Sequence, residues 1–268
     1  MTMISIKDLR ELKQRNEKIA VLTAYDAGFT HHLEEAGVEV ILVGDSLGMV
    51  VQGHDSTIPV TVDDMVYHTK MVARARKRAL LIADLPYHSY LTSDQALENS
   101  RRLINEAGAD MVKLEGGGEI VSIAKYLIQN EIPVCGHLGL LPQSVEELGG
   151  YKVQGREQSA ADNMVSDAQA LLEAGVEMVV LECIPQELAK RIQSEVDIIT
   201  IGIGAGVDCS GQVLVLYDLL GITPGKRPKF SKDFLAGSGE GMSITAAIAA
   251  YVKAVKDLSF PAKEHSFN

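Results

Sequence analysis

Three acidic residues of this sequence end copies of one pattern, which would bring them to the same edge of a sheet. Each copy has a helix end, a glycine, a short apolar run and then an acid: EAGVEVILVGD at Glu35–Asp45, EAGADMVKLE at Glu106–Glu115 and EAGVEMVVLE at Glu173–Glu182. The glycine suits a left-handed helix C-cap, and the apolar run suits a buried strand. The turn alone is a common helix–strand connection, but it does not explain the acid in every copy. The repeats predict a parallel α/β protein whose acids converge at the carboxyl ends of its strands.

A magnesium site is the chemistry that three of the strand-end acids suggest. Asp45, Asp84 and Glu115 follow neighbouring predicted strands and offer only hard oxygen ligands. Mg²⁺ prefers such oxygens, keeps several waters and needs few protein carboxylates. A thiolate-rich zinc site is not indicated, because the cysteines are scattered along the chain.

Lys113 is an unusual residue for the apolar run that contains it. It lies two residues before Glu115, so the two side chains point to the same side of a strand. Val112 and Leu114 would then pack outward against helices. Buried lysines are rare unless they are paired. Two interpretations stay open: a cation that contacts a bound anion, or half of a structural ion pair.

The remaining candidates are weaker. His137 ends the fifth predicted strand, with Cys135 two residues before it. A soft-metal pair is conceivable, but a buried cysteine packing as a small apolar residue is the favoured interpretation. The turn GIGAG at Gly202–Gly206 is a weak nucleotide fingerprint and fits a ligand approaching the backbone better. The sequence has no P-loop and no HExxH motif, so kinase and zinc-metalloprotease functions lack support.

The elements that would position these residues alternate regularly. An N-terminal helix is predicted at Ser5–Gln14, with Ser5 as its N-cap. The predicted strands are Ile19–Ala24, Val38–Gly44, Leu80–Ala83, Met111–Leu114, Val134–Gly136, Met178–Leu181, Ile198–Gly202 and Gln212–Leu216. The predicted helices are Gly28–Ala36, Val62–Arg78, Ser93–Ala107, Ile120–Gln129, Ser159–Ala174, Gln186–Ser194 and Ser243–Leu258.

Eight strands alternating with helices over ~250 residues is the rhythm of a (β/α)₈ TIM barrel, here with an added N-terminal helix. A doubly wound sheet is the rival, but it concentrates its site at one switch point, whereas polar groups end nearly every predicted strand. No linker is visible, so residues 1–268 are predicted to form a single domain. The long segment Leu138–Gln158 is predicted to be functional, because loops of that length are uncommon inside a compact domain.

The bulk composition excludes several classes of partner. The chain has 268 residues, 46% of them hydrophobic, and a formal net charge of −11. Beyond the short stretch Arg74–Arg78 no basic run stands out, so nucleic acid is not expected as a partner. There is no apolar run of about 18 residues that could span a membrane. The charged N-terminal segment lacks the core of a secretory signal, and we expect a cytoplasmic protein.

At these residues the chain closely resembles the ketopantoate hydroxymethyltransferase family, over essentially its whole length. The segments that carry the resemblance are TAYD at Thr23–Asp26, VGDSLGMVVQGHDSTIPVT at Val43–Thr61, ADLP at Ala83–Pro86, MVKLEGG at Met111–Gly117, VCGHLGLLPQS at Val134–Ser144, GGYKVQGR at Gly149–Arg156, VLECIP at Val180–Pro185 and IGIGAG at Ile201–Gly206. The second and sixth of these are the most specific. The departures, Tyr87-His88 and the charged stretch Arg74–Arg78, lie beside the motifs.

The resemblance implies a (β/α)₈ barrel that uses Mg²⁺ and takes a one-carbon unit from 5,10-methylenetetrahydrofolate. It implies that a branched 2-oxo acid, 3-methyl-2-oxobutanoate, loses its C3 proton and that the resulting enolate attacks the one-carbon unit. It also implies a homo-oligomer, a decamer in this family. The expected roles are metal ligation by Asp45, Asp84 and Glu115, substrate contact by Asp45, Ser46, Asp84, Lys113 and His137, and proton acceptance by Glu182.

Two other functions stay open on the sequence. A Mg²⁺-dependent lyase or aldolase of the same barrel type would share the metal and the oxo acid but would need no folate. A non-catalytic barrel that senses or binds oxo acids would bind without turnover. Since one fold serves many functions, the fold cannot decide between them.

Overall fold

Eight short apolar segments form the strands of a closed parallel barrel. The computed structural model describes residues 2–145, 149–223, 225, 227–236 and 241–268. The strands are β1 (Ile19–Thr23), β2 (Val40–Val43), β3 (Leu80–Asp84), β4 (Met111–Lys113), β5 (Val134–Gly139), β6 (Met178–Glu182), β7 (Ile199–Ile203) and β8 (Gly211–Leu214). Each strand pairs with the next one, and β8 pairs with β1. The closure confirms the predicted (β/α)₈ barrel and excludes the doubly wound sheet.

Helices surround the barrel and follow most of the predicted segments. Among the described residues, the α-helices are α1 (Ile6–Gln14), α2 (Ala27–Ala36), α3 (Leu47–Val50), α4 (Val62–Ala75), α5 (Ser93–Arg101), α6 (Ile120–Gln129), α7 (Gln158–Glu173), α8 (Gln186–Glu195), α9 (Leu216–Leu219) and α10 (Ile244–Lys256). Helices α3 and α9 were not predicted, because they are too short to show a helical period in the sequence. None of the described helices is both long and apolar enough to cross a bilayer.

Two predicted helices depart most from their expected ends. The segment Val62–Arg78 was predicted as one helix, but α4 ends at Ala75 because Arg76 is extended. The Arg76 guanidinium pairs with Asp110, which also accepts a hydrogen bond from the backbone of Leu81. The predicted helix Ser93–Ala107 changes at its end from α5 to a π-helical turn, Arg102–Glu106.

The hydrophobic core has an inner and an outer layer, as strand alternation requires. The inner layer fills the barrel with side chains from the strands and with Leu9 of α1, which is fully buried. The outer layer lies between strands and helices, and it includes Val112 and Leu114. Their outward packing confirms the prediction that Lys113, between them, points inward.

The carboxyl ends of the central strands differ from the prediction in a way that matters for the site. The predicted third and sixth strands stopped one residue short of Asp84 and Glu182, and both acids are the last residues of β3 and β6. Strand β5 continues to Gly139 rather than Gly136, so His137 lies within it, opposite Val180. The predicted fourth strand is shorter by one residue, since β4 ends at Lys113. Within Leu138–Gln158, residues 146–148 lie outside the described part of the chain.

Candidate active site

The polar residues of the barrel mouth stand directly above its apolar filling. Ile82, Met111, Cys135 and Val180 belong to the inner layer of the core. Because side chains alternate along a strand, the residue two positions later also faces inward. These inward residues are Asp84, Lys113, His137 and Glu182. Cys135 is fully buried among apolar residues, which agrees with packing rather than metal binding.

Lys113 is the central cation of the site. Its Nζ lies 2.9 Å from Asp84 Oδ1 and 3.8 Å from Glu115 Oε1. The lysine and aspartate side chains are each 4% exposed. Burial alone would lower the pKa of Lys113, but the charges of Asp84, Glu115 and Asp45 outweigh it and raise the pKa. The ammonium is therefore charged at neutral pH and held among three acids.

Asp45 and Asp84 form a close pair of buried carboxylates. Asp84 Oδ2 accepts a hydrogen bond of 3.1 Å from the backbone N–H of Asp45. Burial raises the pKa of both carboxyl groups, and the negative charge of Asp84 raises that of Asp45 further. Two such groups gain from a cation between them, because it removes the repulsion that burial strengthens.

His137 lies between two acids from neighbouring strands. Its Nδ1 is 3.2 Å from Glu115 Oε1, and its Nε2 is 3.3 Å from Glu182 Oε2. Burial and the charge of Lys113 would lower the pKa of His137, but Glu115 and Glu182 raise it to about 9. The ring is then an imidazolium that donates from Nδ1 to Glu115 and forms an ion pair with Glu182 through Nε2. The lower pKa of Glu115 follows from the same contacts with His137 and Lys113, which outweigh its burial.

Ser46 and the residues after β1 complete the rim. The Ser46 hydroxyl lies 2.8 Å from the hydroxyl of Tyr25, which is buried. Asp26, the acid that follows β1, caps α2 by accepting from the backbone N–H of Phe29 at 2.9 Å. The structure thus brings together the predicted residues Asp45, Asp84, Lys113, Glu115, His137 and Glu182, and it places Ser46 at their edge.

The sequence analysis missed two residues that contact this cluster, Gln143 and Tyr90. Gln143 donates from Nε2 to Asp45 Oδ2 at 2.8 Å, and its backbone N–H donates to Glu115 Oε2 at 3.1 Å. The Tyr90 hydroxyl donates to Gln143 Oε1 at 2.5 Å. The available signal was the segment VCGHLGLLPQS, which contains Gln143 and lies in a loop predicted to be functional.

The cluster suits a hard divalent cation better than a soft one. Asp84 Oδ1 is buried and has the Lys113 charge beside it but no hydrogen bond of good geometry, so it has electron pairs left for a cation. Asp45 and Asp84 offer oxygen only, which fits Mg²⁺. Within the described residues, however, no three His, Cys, Asp or Glu side chains are already arranged around one point as a metal site. Both oxygens of Glu115 contact protein donors.

The turn GIGAG does not lie open to a ligand, which corrects the prediction made for it. Gly204 and Gly206 have φ values of +63° and +85°, which glycine adopts readily. A Cβ on Gly204 would lie 2.9 Å from the ring of Phe267, and one on Gly206 would lie 2.6 Å from Gln186 Cβ. The glycines therefore make room for protein side chains.

Comparison with known proteins gives a consistent family match. A model of the family described as ketopantoate hydroxymethyltransferase matches residues 3–263. The chain is 55% identical over 265 residues to 3-methyl-2-oxobutanoate hydroxymethyltransferase 2 of Hahella chejuensis, covering 99% of each chain. It is 54% identical over 264 residues to the 3-methyl-2-oxobutanoate hydroxymethyltransferase of Alkalilimnicola ehrlichii, covering 98% of this chain and 94% of the relative.

Solved structures with a similar fold are much more distant in sequence. A 2,3-dimethylmalate lyase of the PEP mutase/isocitrate lyase superfamily has a TM-score of 0.61 at 16% identity, with 97% and 100% of the two chains covered. A phosphonopyruvate hydrolase in complex with oxalate and Mg²⁺ has a TM-score of 0.61 at 12% identity, with 97% of each chain covered. At these identities the likeness concerns the fold alone.

Proposed function

Because the chain belongs to the ketopantoate hydroxymethyltransferase family and is therefore a hydroxymethyltransferase, we propose that its acceptor is 3-methyl-2-oxobutanoate and its donor 5,10-methylenetetrahydrofolate. The product is then 2-dehydropantoate (ketopantoate), made for pantothenate biosynthesis. The observation that carries this proposal is the buried cation Lys113 among Asp45, Asp84 and Glu115, with Glu182 at the end of a nearby strand. A small 2-oxo acid presents one carboxylate and one ketone, and these oxygens suit the Lys113 ammonium and a metal ion held by the acids.

Asp45 and Asp84 are the residues that would hold Mg²⁺ in this proposal. A bound Mg²⁺ supplies Lewis-acid stabilisation of the negative charge that develops on the ketone oxygen. Glu115 stays a predicted ligand, and it would meet the metal with an oxygen that already contacts Lys113 and His137 or the backbone N–H of Gln143. In this proposal Lys113 keeps its charge and donates to the bound substrate, and the Ser46 hydroxyl at the rim donates to the substrate carboxylate.

Glu182 accepts the C3 proton in this mechanism. The His137 imidazolium lies 3.3 Å from Glu182 Oε2 and orients the carboxylate, so the other oxygen receives the proton. Apolar side chains of the inner core lie directly below these polar residues. The C3 carbanion equivalent then forms its new bond to the methylene carbon of the folate. Both C–N bonds of that carbon break, water supplies the hydroxyl group, and tetrahydrofolate leaves with the C3 proton and one proton of the water on its two nitrogens. His137 acts by holding Glu182, since a protonated ring cannot itself accept the proton.

One assay tests the proposal against its two alternatives. Turnover of 3-methyl-2-oxobutanoate is measured with Mg²⁺, with and without 5,10-methylenetetrahydrofolate. We expect ketopantoate only when the folate is present, and no reaction after chelation of the metal. Cleavage of an oxo acid without folate would favour the lyase or aldolase. Binding of the oxo acid without turnover would favour the non-catalytic barrel.

The wider setting of the enzyme also belongs to the proposal. A homo-oligomer, a decamer as the family resemblance implies, stays a prediction, and so does the cytoplasmic location. The assignment of residues 1–268 to one domain stays a prediction as well. Size-exclusion chromatography with light scattering would measure the number of subunits.

A further inference from the structure

Gln143 contacts two acids of the site, Asp45 and Glu115, although it carries no charge. It lies in the 3₁₀ turn Pro142–Ser144 after β5, and it is 4% exposed. We propose that Gln143 is a positioning residue: it holds the Asp45 carboxylate in the orientation that the divalent cation and the 2-oxo acid require. This inference rests on the proposed function, because it concerns how the same site binds its metal and acceptor.

The contacts of Gln143 use every hydrogen-bonding atom of its side chain. Nε2 donates to Asp45 Oδ2 at 2.8 Å and to the backbone carbonyl of Leu85 at 2.9 Å. Oε1 accepts from the Tyr90 hydroxyl at 2.5 Å. A buried amide with all of its donors and its acceptor engaged is rigid, because moving it would leave a polar atom without a partner.

The direction of this chain of hydrogen bonds follows from its chemistry. A carboxylate and a carbonyl can only accept, so the end of the Gln143 amide that faces Asp45 and Leu85 must be the NH₂ group. The oxygen then faces Tyr90, whose hydroxyl must donate. The same hydroxyl lies 3.4 Å from the backbone N–H of Glu115 and can accept from it. Hydrogen bonds thus run from Glu115 through Tyr90 and Gln143 to Asp45.

The network fixes the orientation of the Asp45 carboxylate and leaves it able to meet a cation. Oδ2 accepts from Gln143, and this contact sets the direction in which Oδ1 and the second lone pair of Oδ2 would face the metal. The backbone N–H of Gln143 holds Glu115 Oε2 at the same time. One turn therefore sets the positions of acids that follow β2 and β4, on either side of Asp84 at the end of β3. Partners that orient a metal ligand typically change metal affinity by 10–100-fold when removed.

The test replaces Gln143 by a residue of similar size that makes none of these bonds. In Gln143→Met, we expect Mg²⁺ affinity, measured by calorimetry with and without 3-methyl-2-oxobutanoate, to fall by roughly 10–100-fold. The KM for the oxo acid should rise more than kcat falls. Tyr90→Phe keeps Gln143 but removes its acceptor contact, and we expect a smaller loss of Mg²⁺ affinity in the same direction.

Gln212→Met is the matched control. Gln212 is also buried, and its Nε2 donates to the Gly206 carbonyl at 2.9 Å, on β8 and away from the acids. It should lower the melting temperature without changing Mg²⁺ affinity. Thermal unfolding of all three variants separates loss of fold from loss of binding.

Two results would overturn the inference. The first is a Gln143→Met variant that has wild-type Mg²⁺ affinity and KM and differs only in a lower melting temperature. If Gln143→Met does not fold, the same result in Tyr90→Phe would count. The role of the network would then be structural. The second is an unaltered protein without Mg²⁺-dependent binding of the oxo acid, which would overturn the proposed function and this inference together. If the unaltered protein binds and turns over the oxo acid, and the variants do the same, the proposed function stands and only the role of Gln143 is removed.

Discussion

The charged residues at the barrel mouth depend on each other, because they are buried together. Lys113 neutralises part of the charge of three acids, and His137 holds two acids at once. Removing one member changes the electrostatic environment of the rest. Substitutions that keep the shape of a side chain and remove one property are therefore the informative ones.

Asp84→Asn tests the metal assignment. The amide keeps the size of the carboxyl group and can still accept from the backbone N–H of Asp45, but it lacks the charge that attracts a cation. We expect Mg²⁺-dependent binding of the oxo acid, measured by calorimetry, to weaken by more than about tenfold. Asp26→Asn, which alters an acid that caps α2, is the matched control and should bind normally. Unchanged Mg²⁺ affinity in Asp84→Asn would refute the assignment.

Lys113→Met separates the two interpretations of the buried lysine. Loss of one partner from a buried ion pair is expected to destabilise the fold by about 3–5 kcal/mol under either interpretation. Only a substrate contact predicts in addition that KM for the oxo acid rises at least about tenfold, since truncating one member of a buried charge pair costs about 2–5 kcal/mol. Urea unfolding and steady-state kinetics measure the two effects. A destabilised variant with normal kinetics would establish a structural ion pair.

Glu182→Gln tests the base. The substitution keeps the size of the side chain and its contact with His137 Nε2, but an amide oxygen is a poor proton acceptor. We expect Mg²⁺ and oxo-acid binding to persist while exchange of the C3 hydrogen with deuterated water slows by about 10²–10⁴-fold. NMR follows the exchange directly. Normal exchange would show that another group is the base, and loss of Mg²⁺-dependent binding would make Glu182 a ligand or a support.

At the scale of elements, strand length decides which residues reach the site. Strand β5 continues past His137, and the register pairs Gly139 with Glu182. The register of β3 and β4 likewise pairs Asp84 with Lys113. Because adjacent parallel strands lie about 4.8 Å apart, side chains at matching positions meet without any help from loops. Loops add the residues that come from farther away, such as Gln143.

Helix α1 packs against the end of the barrel that lies opposite the candidate active site. Ser5 and Asp8 form a capping box at its start, and its Leu9 is fully buried against the inner core, among strand residues such as Ile19 and Val21. Leu9→Ala leaves a cavity there and should destabilise the protein by about 2–5 kcal/mol, measured by urea unfolding. Leu12→Ala, at a partly buried position of the same helix, should cost less. Equal effects of the two substitutions would contradict the inference that Leu9 fills the inner core at this end of the barrel.

At the scale of the whole molecule, the barrel depends on the seam where its first and last strands meet. Tyr251 of α10 lies over this seam, fully buried, and its hydroxyl is 3.0 Å from the carbonyl of Val21 on β1 and 2.8 Å from that of Gln212 on β8. One side chain from the last helix thus contacts both strands. Its ring also packs edge-on against Phe234 and Phe260.

Tyr251→Phe keeps the ring and removes the hydroxyl from the seam. We expect the free energy of unfolding to fall by about 1–3 kcal/mol, because two buried carbonyls lose the one hydroxyl hydrogen that they share. Chemical denaturation gives the free energy, and Mg²⁺ affinity should stay unchanged since the site lies at the strand ends. A variant as stable as the wild type would show that the seam does not need this donor.

The sequence by itself determined the class of fold and most of the candidate site. The repeated turns, apolar runs and terminal acids are local patterns, and the two-residue period of a strand already placed Lys113 and Glu115 on one side. The family motifs named the same acids. Local patterns do not contain distances between segments far apart in the chain, and for this reason they left Lys113 with two interpretations.

Only the tertiary structure decided how the acids are partnered. It showed that His137 lies between Glu115 and Glu182, and that Gln143, 98 residues from Asp45, donates to it. It also showed that the glycines of GIGAG accommodate protein side chains. A glutamine or a glycine carries no sign of its partner in the local sequence. Its role follows from which segments the closed barrel brings together, and burial there makes each unpaired polar atom costly.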